Sequence, residues 1–200
     1  MTASLRKANG FTLVELLVVL VVAGILSTLA LPSFTGMIRD NRVLGQANDF
    51  LAALSLARSE ALRRGAPVCV KSKGAEGSWT EGWQVFSEDP AKTDCSASQE
   101  LIQDYAKLSA GSTLQVDAPF ESYIRFNRMG VAVNSSDVPQ KTQDVYATPA
   151  PDKAFKLCPD DASAAHARLI GISVTGQPYR LLDNTSTSTM PALKRPGSCP

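Results

Sequence analysis

Gly10-Phe11-Thr12-Leu13-Val14-Glu15 opens an almost unbroken apolar run that ends at Leu31, and Glu15 is the single charge within it. About twenty such residues suffice to cross a hydrocarbon core as one helix. Arg6 and Lys7 precede the run, and cationic flanks stay on the cytoplasmic side while the rest of the chain is sent across. A carboxylate inside an apolar segment is costly unless it finds a partner, so Glu15 reads as a functional residue rather than a tolerated one. The competing reading is an ordinary secretory signal cut near Thr28-Leu29-Ala30. Such a signal has a shorter apolar core without a charge in it.

Beyond the run, the 200-residue chain is 44% hydrophobic and 20% charged, which leaves enough material for one compact domain. A net charge of +1 provides no overall attraction to nucleic acid or anionic lipid, so any electrostatic function needs a local patch. No internal repeat or single-residue tract is present. Pro32 cannot donate a backbone hydrogen bond and is expected to bend or interrupt a helix. After it, Val43, Ala47, Phe50, Leu51, Leu54, Ala57 and Ala61 recur at spacings of three and four, the pattern of an amphipathic helix. Gly65 and Pro67 mark its end.

Past Pro67 the period changes. Segments 68–71, 83–86, 101–105, 114–116, 123–126, 168–174 and 179–182 are rich in β-branched, aromatic and aliphatic residues and read as strands. Turn-forming groups at 74–78, 88–90, 128–130 and 175–178 separate them, as antiparallel connections require. Residues 134–154 read as a long surface loop suited either to a tolerated insertion or to a subunit contact. The polar segment 183–200 is expected to be pinned at Cys199.

Four cysteines, Cys69, Cys95, Cys158 and Cys199, follow the apolar run in a chain whose topology points to an oxidising compartment, so disulfides are expected. Of the three pairings open to them, Cys69 with Cys95 and Cys158 with Cys199 is favoured. Each of these closes a loop and ties down a turn-rich or terminal segment. No two cysteines have metal-ligand spacing and His166 is the only histidine, so neither a metal nor a cofactor is expected. No nucleophile motif or phosphate-binding glycine loop appears, and enzymatic activity is not expected.

Gly10-Phe11-Thr12-Leu13-Val14-Glu15-Leu16-Leu17 resembles the leader signal of type IV pilins and type II secretion pseudopilins. That resemblance implies cutting after Gly10 by a prepilin peptidase and N-methylation of the new amino terminus at Phe11. It also implies a role for Glu15 in assembly. The physics agrees, because cleavage creates an amine one helical turn from Glu15, and in a packed fibre the carboxylate of one subunit can neutralise the amine of a neighbour. Leu56-Ala57-Arg58-Ser59-Glu60-Ala61-Leu62-Arg63-Arg64-Gly65, before Pro67-Val68, is similar to the GspH/FimT branch of these proteins, and Phe126-Asn127-Arg128-Met129-Gly130 resembles a late strand and turn of the same branch. Read from the residues alone, Ala57 and Ala61 allow close packing onto a sheet, while Arg58, Glu60, Arg63 and Arg64 solvate the exposed face or cap the helix end, with a basic patch for a partner as the alternative.

The expected fold is therefore α+β, a type IV pilin fold in which a long N-terminal helix, membrane-spanning in its first half, packs on an antiparallel β-sheet head. Residues 1–10 form the leader, 11–31 the transmembrane and assembly helix, 32–66 its amphipathic continuation and 67–200 the head. The resemblance implies a minor pilin of a type IV pilus, similar to the FimU and FimT kinds. Its partners would be prepilin peptidase, other pilins or pseudopilins, and the bacterial inner membrane before assembly, with the head in the periplasm. A GspH-like minor pseudopilin of type II secretion is the first alternative. The second is a DNA-binding minor pilin. Some FimT-like proteins bind DNA through Gly-Arg-x-Arg, but the matching place here reads Gly176-Gln177-Pro178-Tyr179-Arg180. Only Gly176 and Arg180 carry over, and Lys194 and Arg195 are the further cations that phosphates would need.

Overall fold

A computed structural model describes residues 12–75, 78–89, 91–109, 111–116, 120, 122–134, 136–140, 155–160, 167–181 and 199, with the side chains of 28–34 and 181 excepted. The expected leader at 1–10, Phe11, His166, Lys194 and Arg195 lie outside the described residues, as does most of the 134–154 loop. One helix, α1, spans Leu13–Arg64. Among the described residues nine strands follow: β1 Val68–Ser72, β2 Trp83–Glu88, β3 Ser98–Tyr105, β4 Thr113–Val116, β5 Tyr123–Phe126, β6 Ala132–Val133, β7 Phe155–Cys158, β8 Arg168–Ile172 and β9 Pro178–Leu181. A short 3-10 turn, Trp79–Glu81, precedes β2.

Local chemistry sets both ends of α1. Thr12 caps its start: the Thr12 Oγ1 accepts the Glu15 N–H at 3.2 Å and the Thr12 carbonyl accepts the Leu16 N–H at 3.2 Å. This is the S/T-x-x-E arrangement of a helix N-terminus. At the other end Gly65 takes φ +61°, the left-handed conformation that stops a helix without a Cβ penalty. The helix runs unbroken through position 32, so Pro32 does not interrupt it.

The chain divides into two compact units, Met1–Arg39 and Asp40–Pro200. In the second unit, the strands form two antiparallel sheets, one ordered β3-β2-β1-β5-β6 and the other β4-β7-β8-β9. The last part of α1 supplies Val43, Ala47, Phe50, Ala53, Leu54, Ala57 and Ala61 to a core that also holds Val68, Val70, Val85 and Ile124 of the first sheet and Leu114, Phe155, Leu157 and Ile170 of the second. Alanines on this face let the helix approach the strands closely. Phe50 joins the two sheets: its ring meets Trp79, Trp83 and Phe155 edge-on at centroid distances of 5.6, 5.0 and 5.2 Å. Burying one such side chain contributes roughly 1.5–3 kcal/mol, before the geometric preference of aromatic pairs is added.

Alternation along the strands then decides what faces outward. Val68 and Val70 point into the helix-covered core, so Cys69 and Lys71 occupy the opposite face of the first sheet. Two strands escape a reading of the sequence. β6 has only two residues, and β7 is a four-residue Phe-Lys-Leu-Cys segment beside the long polar stretch. Glu88, expected in a turn, is instead the last and buried residue of β2.

Candidate functional site

The first turns of α1 carry the expected assembly residues. Leu13, Val14, Leu16, Leu17, Val18, Val19, Leu20, Val21, Val22, Ile25 and Leu26 are all exposed, from 48% to 81%. A continuous apolar surface of this kind marks a face that is covered in use. Among the described residues no helix is long and apolar enough to cross a membrane. Glu15 lies in the first turn, where an acidic group also complements the partial positive charge of the helix start. Its backbone N–H is used by Thr12, and no described cation pairs with its carboxylate.

At the far end of the helix, charge is consumed within the head. Glu60 accepts from Arg63 at 3.0 Å and from Arg64 at 2.7 Å, and Arg64 reaches Glu100 of β3 at 2.6 Å. The hydrogen bonds from Arg63 and then Arg64 hold the Glu60 carboxyl down at about 2. Arg58 reaches elsewhere. Its Nε donates to the Gly130 carbonyl at 3.1 Å, and its two remaining nitrogens donate to the Gln177 Oε1 at 3.1 Å and the Thr175 carbonyl at 3.4 Å. One guanidinium therefore ties α1 to the β5–β6 turn and to the β8–β9 turn. The basic helix end expected from the sequence is a set of internal ties rather than a free patch.

The place that matches a DNA-binding motif is caught in the same arrangement. Gly176 has φ +78°, and a Cβ there would lie 2.0 Å from the Gly130 carbonyl oxygen. Gln177 spends its side-chain amide oxygen on Arg58. Arg180 is an exposed residue of β9, with no described partner.

Cys69 is joined to Cys95 and Cys158 to Cys199, with Cα separations of 5.9 and 5.8 Å. Beside the first of these sits a network that the sequence did not reveal. The Arg125 Nε donates to the Glu88 Oε2 at 2.6 Å, with side-chain exposures of 6% and 1%. Glu88 Oε1 accepts the Cys95 N–H at 2.9 Å, and Arg125 reaches Asp137 at 2.9 Å. The one available signal was Arg125 itself, a charge in the otherwise apolar strand Tyr-Ile-Arg-Phe. Ligand-type atoms of Cys69, Glu88 and Cys95 lie within 4.8 Å of one another. Both sulfurs are bonded to each other, however, and both Glu88 oxygens are occupied, so this cluster is a structural tie.

A long helix whose apolar start carries one carboxylate, without a cation among the described residues, and whose later turns are built into two antiparallel sheets, defines a pilin-type subunit. The chain belongs to the GspH family. The model of that family, described as type II transport protein GspH, matches residues 46–176, and the prokaryotic N-terminal methylation motif matches residues 5–31. No curated protein matches the chain significantly. Crystal structures of the type IV minor pilin FimU of Pseudomonas aeruginosa (strain PAO1) share the fold. One, in space group P21, aligns with TM-score 0.54 at 18% identity over 80% of this chain and 96% of its own. The other, in P65, aligns with TM-score 0.52 at 17% identity over 78% and 98%. The chain is thus a pilin-type member of the GspH family that carries the prokaryotic N-terminal methylation motif and shares the fold of FimU.

Proposed function

We propose that this chain is a minor pilin of a type IV pilus. Prepilin peptidase cuts it after Gly10 and methylates Phe11. The apolar half of α1 then holds it in the inner membrane, with the head in the periplasm, until it enters the fibre. The observation that carries this reading is Glu15, a carboxylate with no cation beside it among the described residues, on the first turn of an exposed apolar helix. The Phe11 amine of a neighbouring subunit supplies the missing charge on assembly, so packing relieves a penalty that the isolated subunit carries. The FimU likeness supports the pilus, whereas the GspH family match supports the second reading, a minor pseudopilin of a type II secretion system. DNA binding is a weaker alternative, because Gln177 is engaged by Arg58 and Arg180 is the one cation of the stretch Gly176-Gln177-Pro178-Tyr179-Arg180.

Mass spectrometry of sheared surface fibres beside the membrane fraction tests both processing and destination. A peptide beginning at N-methylated Phe11 in the fibres, at low abundance, supports the pilus. Recovery of that species from membranes alone supports the secretion machine, and a chain beginning near Leu31 overturns the proposal. Glu15→Ala is expected to be cut normally at Gly10 but to fail to enter the fibre. Normal incorporation would remove the charge-pairing role.

A further inference from the structure

The outer face of the first sheet, away from α1, carries a groove of about 440 Å³. Its floor and walls include Lys71 of β1, Gln84 and Phe86 of β2, Ser96 of the β2–β3 connection, and Ser98 and Leu101 of β3. Two features hold it open. The Cys69–Cys95 disulfide fastens the β2–β3 connection to the outer face of the sheet, and the Lys71 Nζ donates to the Cys95 carbonyl at 3.1 Å.

Lys71 is the odd member. It is half-buried, yet among the described residues its single polar partner is that neutral carbonyl and no carboxylate pairs with it. The nearby acids are committed elsewhere. Asp104 faces Lys73 at 3.1 Å, Glu88 is held by Arg125 and the Cys95 N–H, and Asp94 accepts the Ser96 N–H at 3.1 Å. A partly desolvated cation without a counter-ion favours an anion in the groove. The hydroxyl of Ser98 and the amide of Gln84 are neutral groups able to donate to it, whereas the Ser96 hydroxyl is turned to Asp94.

Phe86 and Leu101 narrow the choice. Leu101 is 53% exposed beside the buried Phe86 ring, an apolar wall of no use to a small hydrated anion but suited to an aliphatic group. We infer that this groove binds a carboxylate with an apolar flank, in the form presented by the C-terminus of a peptide ending in an aliphatic residue. Lys71 takes the carboxylate, and Phe86 with Leu101 takes the side chain. The inference is independent of whether the subunit serves a pilus or a secretion machine.

The test is titration of the full-length ¹⁵N-labelled protein in detergent micelles with N-acetyl-leucine, N-acetyl-leucinamide and sodium glucuronate, followed by amide chemical shifts. N-acetyl-leucine is expected to give saturable shifts clustered at Lys71, Gln84, Ser96 and Ser98, with the uncharged amide giving none. Lys71→Gln should weaken binding by about tenfold or more, the effect of losing one charge-assisted hydrogen bond. Lys71→Arg keeps the charge and should retain binding, and Leu101→Asn should weaken it several-fold with the fold unchanged. Absence of saturable shifts, equal binding of the amide, or binding of glucuronate alone would each overturn the inference.

Discussion

The Arg125 guanidinium and the Glu88 carboxylate meet at 2.6 Å, both almost fully buried, across 37 residues of sequence. Arg125 also holds Asp137, and Glu88 also holds the Cys95 N–H, so the pair links β5, the end of β2, the Cys69–Cys95 disulfide and the segment after β6.

Breaking this pair from one side should be far worse than replacing it whole. Arg125→Met leaves a buried carboxylate without its cation, and such a loss costs about 3–5 kcal/mol. The double variant Arg125→Met, Glu88→Leu should be less destabilised than Arg125→Met alone. Urea denaturation of the full-length protein in detergent measures both, and a double variant worse than the single one would show that the carboxylate is not the source of the penalty.

Arg58 is expected to act as the joint between helix and turns. Arg58→Ala should destabilise the head by about 2 kcal/mol, and Arg58→Lys should recover little, because an ammonium cannot reproduce the fork that serves Gly130, Gln177 and Thr175 together. Gly176→Ala approaches the same joint through the backbone. At φ +78°, with the Gly130 oxygen 2.0 Å from the new Cβ, the turn must move, at a cost of about 2 kcal/mol or more. Thermal unfolding would measure both, and a wild-type midpoint for Gly176→Ala would contradict the packing of the two turns.

Glu60 contributes a dependence on pH whose sign is defined. Its folded carboxyl titrates at about 2, against 4.5 for the ordinary group, because Arg63 and Arg64 donate to it. A depressed carboxyl stabilises the fold above the unfolded value and loses that contribution as pH falls through the folded value. The midpoint difference between the wild type and Glu60→Gln should therefore be fully present above about pH 5 and close as pH falls toward about 2. A difference unchanged across that window would assign the effect to packing instead.

Both disulfides should stabilise the head, by amounts that follow loop length. Cys69 and Cys95 are 26 residues apart and Cys158 and Cys199 are 41 apart. In the chain-entropy picture each contributes about 3–4 kcal/mol, the longer loop slightly more. Replacing each pair with serine and comparing denaturation midpoints under non-reducing conditions checks both size and order. The Cys69–Cys95 variant should also loosen the β2–β3 connection, seen as faster amide exchange at Cys95→Ser and Ser96.

What could be read from neighbouring residues was legible in the sequence. The apolar run with one carboxylate, the Gly65 stop and the alanine face of α1 all act over one or two turns, where side-chain spacing and backbone preference are local properties. Most strands were legible too, since alternation is a local signal. β7 was missed because four residues beside a long polar stretch carry too little of that pattern, and β6 because two residues carry none.

Only the tertiary structure decided which strands share a sheet, where Phe50 joins the two sheets, and what the polar side chains do. Glu88 reads locally as a turn residue, but the fold brings Arg125 to it and makes it a buried ion pair. Gln177 reads as the lost arginine of a DNA motif, while Arg58, 119 residues earlier, makes it a structural acceptor. Lys71 reads as an ordinary strand lysine until β3 and the disulfide-held connection enclose it. A charged or amide group takes its role from the partner it meets, and partners separated by tens of residues are brought together only when the sheets close over the helix.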